Sequence, residues 1–297
     1  MYVRTRIVAA ALIAGLLCGS ASAGIVANPF HNYQTPDDGS PGTWEDTGTA
    51  SGGNVLDWSM ATGSGVSVVS VTDPAVTFTS AYSFPGGAGE IGGTTDSFAD
   101  TTSNNSATFE LWFRVNDASD VDTAQPTILF ETGGNQGLTF FLENDGSDVT
   151  LTGVTGKNST AVMSYTLDSS DFGAFLQATL VTGSQEKLFV NSSATPGDPT
   201  FVDSAGTVEN WRGGNDAGLG RVNANANRPD NANDDWEQSE AVSFNGEIAI
   251  LRHYDNVEFS EADVDQNFTA LVIPEPATLA LLGLGGALML SRRRRRQ

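Results

Sequence analysis

Between residues 107 and 255 the chain is made of short runs in which apolar and polar side chains alternate, divided by glycine, asparagine and aspartate. A repeat of two puts successive side chains on opposite faces of an extended strand, whereas a helix needs a repeat near 3.6. The clearest run, 108–115 (TFELWFRV), sets Phe109, Leu111, Phe113 and Val115 on one face and Glu110, Trp112 and Arg114 on the other. Further strands are predicted at 127–131, 137–143, 148–152, 175–182, 186–191 and 245–254, with softer signals at 66–71 and 75–78. Between two of these runs, Asn144-Asp145-Gly146 supplies the positive φ that a tight hairpin requires. One helix is predicted, at 260–271, with Ser260 as its cap and Asp263 at the capping-box position. Strands with one buried face need a second layer to pack against. The expected fold is therefore all-β, an antiparallel two-sheet jelly-roll sandwich, with 24–271 as one domain. The polar stretch 223–240 (NANANRPDNANDDWEQSE) interrupts the pattern as a long loop between strands.

The two ends follow other rules. Arg4 and Arg6 precede an apolar run at 7–17, and the small residues Ala21 and Ala23 follow it. That order predicts a signal peptide over 1–23, cleaved after Ala23, and hence an exported protein. At the other end, 277–290 is apolar or small throughout but shorter than the ~20 residues that usually cross a bilayer. Arg292, Arg293, Arg294, Arg295 and Arg296 follow it, a membrane stop that holds the terminus on the cytoplasmic side. Pro274, Glu275 and Pro276, the apolar stretch and the arginine cluster, in that order, resemble the PEP-CTERM sorting signal of Gram-negative, polysaccharide-producing bacteria. The resemblance covers 274–297. It implies a temporary stop in the inner membrane, then cleavage near Pro-Glu-Pro by a membrane-embedded, transpeptidase-like enzyme, exosortase. Delivery to the cell surface or extracellular matrix would follow.

Within the body, four segments in order resemble laminin G-like, concanavalin A-like domains: TFELWFRV, ILFETGGNQGLTFFLENDGSDVTL, FLQATLVTGSQEKLFVN and FNGEIAILRHYDNVEFSEADVDQNF. In the last, Phe244, Gly246, Ile248, Leu251 and Tyr254 stand at matching places. Many members of that family carry an acid after the isoleucine of the closing strand, where it helps to bind calcium, but Ala249 stands there in this chain. The resemblance therefore does not carry that calcium site over. Ca2+ remains open as a ligand at an unassigned place, because an acidic body offers many hard oxygens.

Charge and rare residues narrow the chemistry. The net charge is −22. Half of the 14 basic residues but only one of the 36 acidic residues fall in the two terminal segments, so the body is more acidic than the whole chain. Such a surface repels phosphates and argues against a nucleic-acid partner. Cys18 is the sole cysteine, which removes a disulfide framework, a thiol nucleophile and a cysteine zinc site from the mature chain. His253 follows Arg252 near a strand end and reads as structural. Glu110 is a lone carboxylate on its strand, and the closest approach to a glycosidase pair, 143–148 (ENDGSD), is turn chemistry. No catalytic residue is assigned. The expected role is non-enzymatic, binding extracellular polysaccharide or contributing to a matrix. The rivals are adhesion to other proteins and glycoside hydrolysis through Glu143. Trp112, on the face turned from the core, and Trp211 and Trp236, in polar segments, are the candidate ligand-binding residues, since exposed aromatics stack on sugar faces.

Overall fold

The structure, a computed structural model, describes residues 25–34, 42–50, 56–60, 65–86, 89–90, 98, 106–133, 137–156, 161–195, 201–206, 217–223, 225–229 and 235–272. The signal segment with Ala21 and Ala23, Trp211, Pro274, Glu275 and Pro276, the apolar stretch 277–290 and Arg292 to Arg296 lie outside the described residues. Among the described residues, no helix is long and apolar enough to cross a membrane.

In chain order the strands are β1 (His31–Tyr33), β2 (Thr43–Trp44), β3 (Trp58–Met60), β4 (Ser67–Ser70), β5 (Ser80–Pro85), β6 (Gly89–Glu90), β7 (Ala107–Arg114), β8 (Thr127–Glu131), β9 (Leu138–Asn144), β10 (Val149–Thr155), β11 (Ala161–Thr166), β12 (Leu176–Thr182), β13 (Glu186–Ser192), β14 (Phe201–Ala205), β15 (Gly218–Leu219), β16 (Asn225–Asn227), β17 (Asp235–Glu237), β18 (Val242–Ser243) and β19 (Asn245–Asp255). A helix, α1 (Glu261–Leu271), follows them. They form an antiparallel two-sheet jelly-roll sandwich. The first sheet runs β14-β13-β12-β7-β19-β5-β4, with β1 also on β19. The second runs β11-β10-β9-β8-β15-β6-β3-β2, with β18 joining β8 in parallel. A separate ribbon pairs β16 with β17.

The alternation read in the sequence sets the core. Phe109, Leu111 and Phe113 of β7 meet Phe130, Phe140, Leu142 and Leu151 of the second sheet in one buried cluster. Gly153 of β10 lets the sheets approach: a Cβ there would lie 2.4 Å from Leu180 Cδ1. The Asn144-Asp145-Gly146 turn joins β9 to β10, with Gly146 at φ 89°. Where β11 and β14 bring the two sheets together, the Ser164 amide donates to Asp203 Oδ2 at 3.0 Å, which occupies a donor of an edge strand. The strand expected at 75–78 is not formed. Asp73 accepts from the Ala75 amide at 2.8 Å and turns the chain at Pro74, so only Val76 makes a bridge, to Val272, and the pairing strand is β5.

The opposite face of the first sheet is buried as well, because α1 lies on it. Ser260 and Asp263 form the capping box that starts the helix. Phe268 stacks on Trp112 with ring centroids 5.5 Å apart and planes 10° from parallel. Beside this contact sits Glu110, fully buried. Its carboxylate accepts from Trp112 Nε1 (2.7 Å), Gln177 Nε2 (2.9 Å), Arg252 Nη1 (3.2 Å), Tyr254 OH (3.1 Å) and Asn267 Nδ2 (3.1 Å). Asn191 Nδ2 donates to Gln177 Oε1, Arg252 Nε donates to Asn32 Oδ1, and the Val26 amide donates to Asn267 Oδ1. The network thus ties β1, β7, β12, β13, β19, α1 and the segment before β1 to one anion. Burial pushes the Glu110 carboxyl up, but Arg252 and the surrounding donors outweigh it and hold the group below the usual carboxylate value, hence ionised.

Removing that anion leaves Arg252 buried without its counter-ion. Glu110→Leu is expected to cost about 3–5 kcal/mol in denaturant unfolding, and Glu110→Leu with Arg252→Met to recover part of the loss, since Trp112 and Gln177 still lose their acceptor. Equal, additive losses would show that the pair is not coupled.

Candidate functional site

The outer face of the second sheet carries the open site. Because β9, β10 and β11 pair in register, Glu143 stands opposite Thr150, and Thr152 stands opposite both Phe141 and Ser164. These positions point away from the inter-sheet core, since Phe140, Leu142, Leu151, Met163 and Tyr165 alternate with them and fill it. The loop 122–126 forms one wall and the β9–β10 hairpin the other. The resulting groove has a volume of about 390 Å³ and is lined by Asp122, Gln125, Glu143, Asp148, Thr152 and Ser164, among others. That is within the range of small-ligand sites.

The walls are shaped by local hydrogen bonds. Asp122 Oδ1 accepts from the amides of Ala124 (2.7 Å) and Gln125 (2.9 Å) and folds the loop. Gln125 Nε2 donates to Ser239 O at 3.2 Å, which fixes the loop to the segment after β17. Asn144 Nδ2 donates to the carbonyls of Ala118 and Val121, anchoring the hairpin to the connection that follows β7. Asp145 is fully exposed, and the amides of Asp148 and Ser147 hold its carboxyl below the ordinary value. Thr152 and Ser164 share a 3.4 Å hydroxyl contact on the groove floor. The groove therefore presents hydroxyl, amide and carboxylate groups and no aromatic lining.

The tryptophans read as binding candidates lie elsewhere. Trp112 projects from the sheet face opposite the inter-sheet core, but α1 covers that face. Its ring is wholly enclosed and its N–H is spent on Glu110, so it offers no surface to a sugar. Trp236, on the β16–β17 ribbon within the predicted loop 223–240, is 6% exposed. It packs edge-on against Phe141 at 4.6 Å, beside Ile128 and Val154, with Arg228 over its ring. The indole seals the outer sheet next to the groove. Trp211 is outside the described residues. Glu143 and Asp148 of the predicted ENDGSD stretch do line the groove, whereas the floor residues Thr150, Thr152 and Ser164 were not singled out as site residues. The outward threonines of VTLT were the available sign, and they are indistinguishable in sequence from any solvated strand face.

Other titratable groups are enclosed. His31 Nδ1 lies 2.6 Å from Asp46 Oδ2, both side chains 1% exposed, among Tyr33, Phe98 and His253. This pair has two parts of a nucleophilic triad, and both side chains are buried. Burial keeps His253 neutral, well below its usual pKa. Among the described residues, no three His, Cys, Asp or Glu side chains are grouped to hold a metal ion.

A two-sheet jelly roll with an open polar groove on one outer sheet face is what fold and geometry define. Residues 272–296 match the family model of the PEP-CTERM protein-sorting motif. That motif implies an exported protein, transiently anchored in the membrane and processed by exosortase. Among solved structures, the chain is similar to the binding domain of Paraclostridial Mosquitocidal Protein 1, at 11% identity and TM-score 0.48, covering 81% of this chain and 52% of that one. It is similar also to the botulinum neurotoxin serotype D/C VPI 5993 binding domain (10%, TM-score 0.46, 82% and 52%). A third is the Trypanosoma rangeli sialidase in complex with sialic acid (12%, TM-score 0.43, 81% and 32%). The chain spans about half the length of the first two. No curated protein matches it in sequence.

One carboxyl outside the groove carries a pH signature. Glu186 is 1% exposed at the start of β13; Thr182 Oγ1 donates to its Oε1 at 3.1 Å, and its Oε2 is buried without a partner. Burial, with Glu258 nearby, pushes it up to about 7 against the bonds from Thr182 and Gly183. A folded pKa above the unfolded one means that the contribution is present below about 4.5 and is lost as pH rises through about 7. Relative to Glu186→Gln, the wild-type protein should lose about 2–3 kcal/mol of unfolding free energy over that window. Parallel pH profiles for the two proteins would contradict the assignment.

Proposed function

We propose that the protein is an exported, non-catalytic polysaccharide-binding or matrix component, and that glycan chains lie in the groove on the outer face of β9, β10 and β11. The groove itself carries this reading. Its floor offers the hydroxyls of Thr150 and Ser164, the latter backed by the buried Thr152, and its rims offer Gln125, Glu143 and Asp148, all suited to hydroxyl partners on a sugar chain. It lies on a sheet face rather than in the interior, where a polymer can reach it. Without an aromatic platform each site binds weakly, and affinity for a long chain comes from repeated engagement. The acidic surroundings favour neutral or amino-bearing sugars over sulfated or uronate chains. The sorting motif supports the reading, since it takes the protein out of the cytoplasm to where such polymers accumulate.

Glycoside hydrolysis would need a carboxyl whose pKa is raised for acid work beside an ionised partner. Glu186, a carboxyl raised in this way, is buried in the first sheet, while Asp145 at the groove is exposed and lowered. Cleavage stays the rival reading, with Glu143 at the groove rim as its candidate.

Binding of the protein to extracellular polysaccharide and to an array of neutral, amino and acidic glycans tests this directly. Thr150→Val with Ser164→Ala should weaken retention about tenfold with an unchanged melting midpoint, and Trp236→Ala should lower stability first. Failure of the wild type to bind any glycan, or release of reducing sugar abolished by Glu143→Gln, would overturn the reading.

A further inference from the structure

The sorting motif and the folded body share a residue. The matched segment begins at Val272, the last described residue, which is 3% exposed. Two features hold it, an antiparallel bridge and a helix-capping hydrogen bond. It bridges Val76 in antiparallel register, where the Thr77 amide donates to Leu271 O at 2.8 Å, and its own amide donates to Phe268 O at 2.9 Å. One turn earlier, Phe268 is stacked on Trp112 and Asn267 is hydrogen-bonded to Glu110. The C-terminal end of α1 is thus fastened to the most heavily bonded centre of the first sheet. Only Ile273 separates this anchor from Pro274.

Chain length turns that into a constraint. Two residue steps span at most about 7 Å, so Pro274 cannot lie farther than that from the anchored Val272. Five steps reach Ala277, at most about 18 Å, and some of that distance is taken by the headgroup layer when the apolar stretch is in the bilayer. An enzyme that cleaves near Pro-Glu-Pro must admit an extended segment of chain, and a folded body of this size stands one residue away.

We propose that processing of the tail is gated by the fold: Val272 and the last turn of α1 must leave their seat against Val76 and Trp112 before the Pro-Glu-Pro segment can enter the cleaving enzyme. The sorting signal is thereby coupled to a local opening of the body, and its rate follows the population of the open form rather than the tail sequence alone. The anchored precursor and the released protein differ only beyond this anchor, so the same residues that delay cleavage reseat afterwards and leave the product with its sheet covered. This inference is independent of what the groove binds.

The test uses the full chain expressed in its own host, with precursor and processed forms separated by size after a pulse of synthesis. Val76→Cys with Val272→Cys places two cysteines at a bridged antiparallel pair, a separation compatible with a disulfide in an exported protein. Once formed, it locks the anchor. The locked variant is expected to be processed at least about tenfold more slowly than the same variant under reductant. Inserting eight Gly and Ser residues between Ile273 and Pro274 should restore processing in the locked variant, and in the wild-type background should accelerate it. Phe268→Ala, which loosens the seat without adding cysteines, should accelerate it too. A locked variant cleaved at the wild-type rate, or a linker insertion that leaves the wild-type rate unchanged, would overturn the proposal.

Discussion

A single buried carboxylate organises this protein. Glu110 receives five side-chain donors at 3.2 Å or less, from β7, β12, β19 and α1. An ionised group in such a place is costly unless every lone pair is met and a counter-charge is close, and here both conditions hold. The consequence is geometric. The donors can converge only if β12, β7 and β19 keep their register and α1 lies across them at a fixed depth, so the polar centre specifies an arrangement that apolar packing alone would leave looser. The inter-sheet core supplies most of the buried apolar area, while Glu110 decides how the other side of the first sheet is closed.

That closure separates the two outer faces of the sandwich by role. The first sheet has its outer face sealed by Phe268, Trp112 and Val272, and the chain leaves the fold from this side toward the sorting motif. Among the described residues, the second sheet is covered in part by the β16–β17 ribbon through Trp236, and the groove lies beside that cover. The chain's exit is on one sheet and the groove on the other.

Much of the fold was legible because period two is a direct imprint of a two-faced strand. In β7 the inward Phe109, Leu111 and Phe113 were separable from Glu110, Trp112 and Arg114 by alternation alone, and the capping pair Ser260 and Asp263 fixed the start of α1. β11 escaped notice because Val162, 37% exposed, breaks the contrast between its faces, and β5 because Ser80, Tyr82 and Ser83 do not read as apolar-polar alternation. The site was harder. An outward Trp looks exposed until a helix 150 residues later is laid over it, so Trp112 was read as a platform when it is a donor to Glu110. Glu110 itself looked isolated on its strand, since its partners Gln177, Arg252 and Asn267 are far along the chain and meet it only through sheet pairing. Groove floors built of threonine and serine leave no mark in sequence that distinguishes them from ordinary solvated strand faces.

The central claim is that Glu110 joins α1 and the first sheet into one cooperative unit. Amide hydrogen exchange of the protein, resolved by mass spectrometry, measures this without any substitution. The amides of α1 up to Phe268 should show the same opening free energy as those of β7 and β12, with faster exchange confined to the last helical turn. Exchange of the whole helix at least about a hundredfold faster than β7 would mean that it opens on its own, and that the anion at Glu110 does not hold it to the sheet.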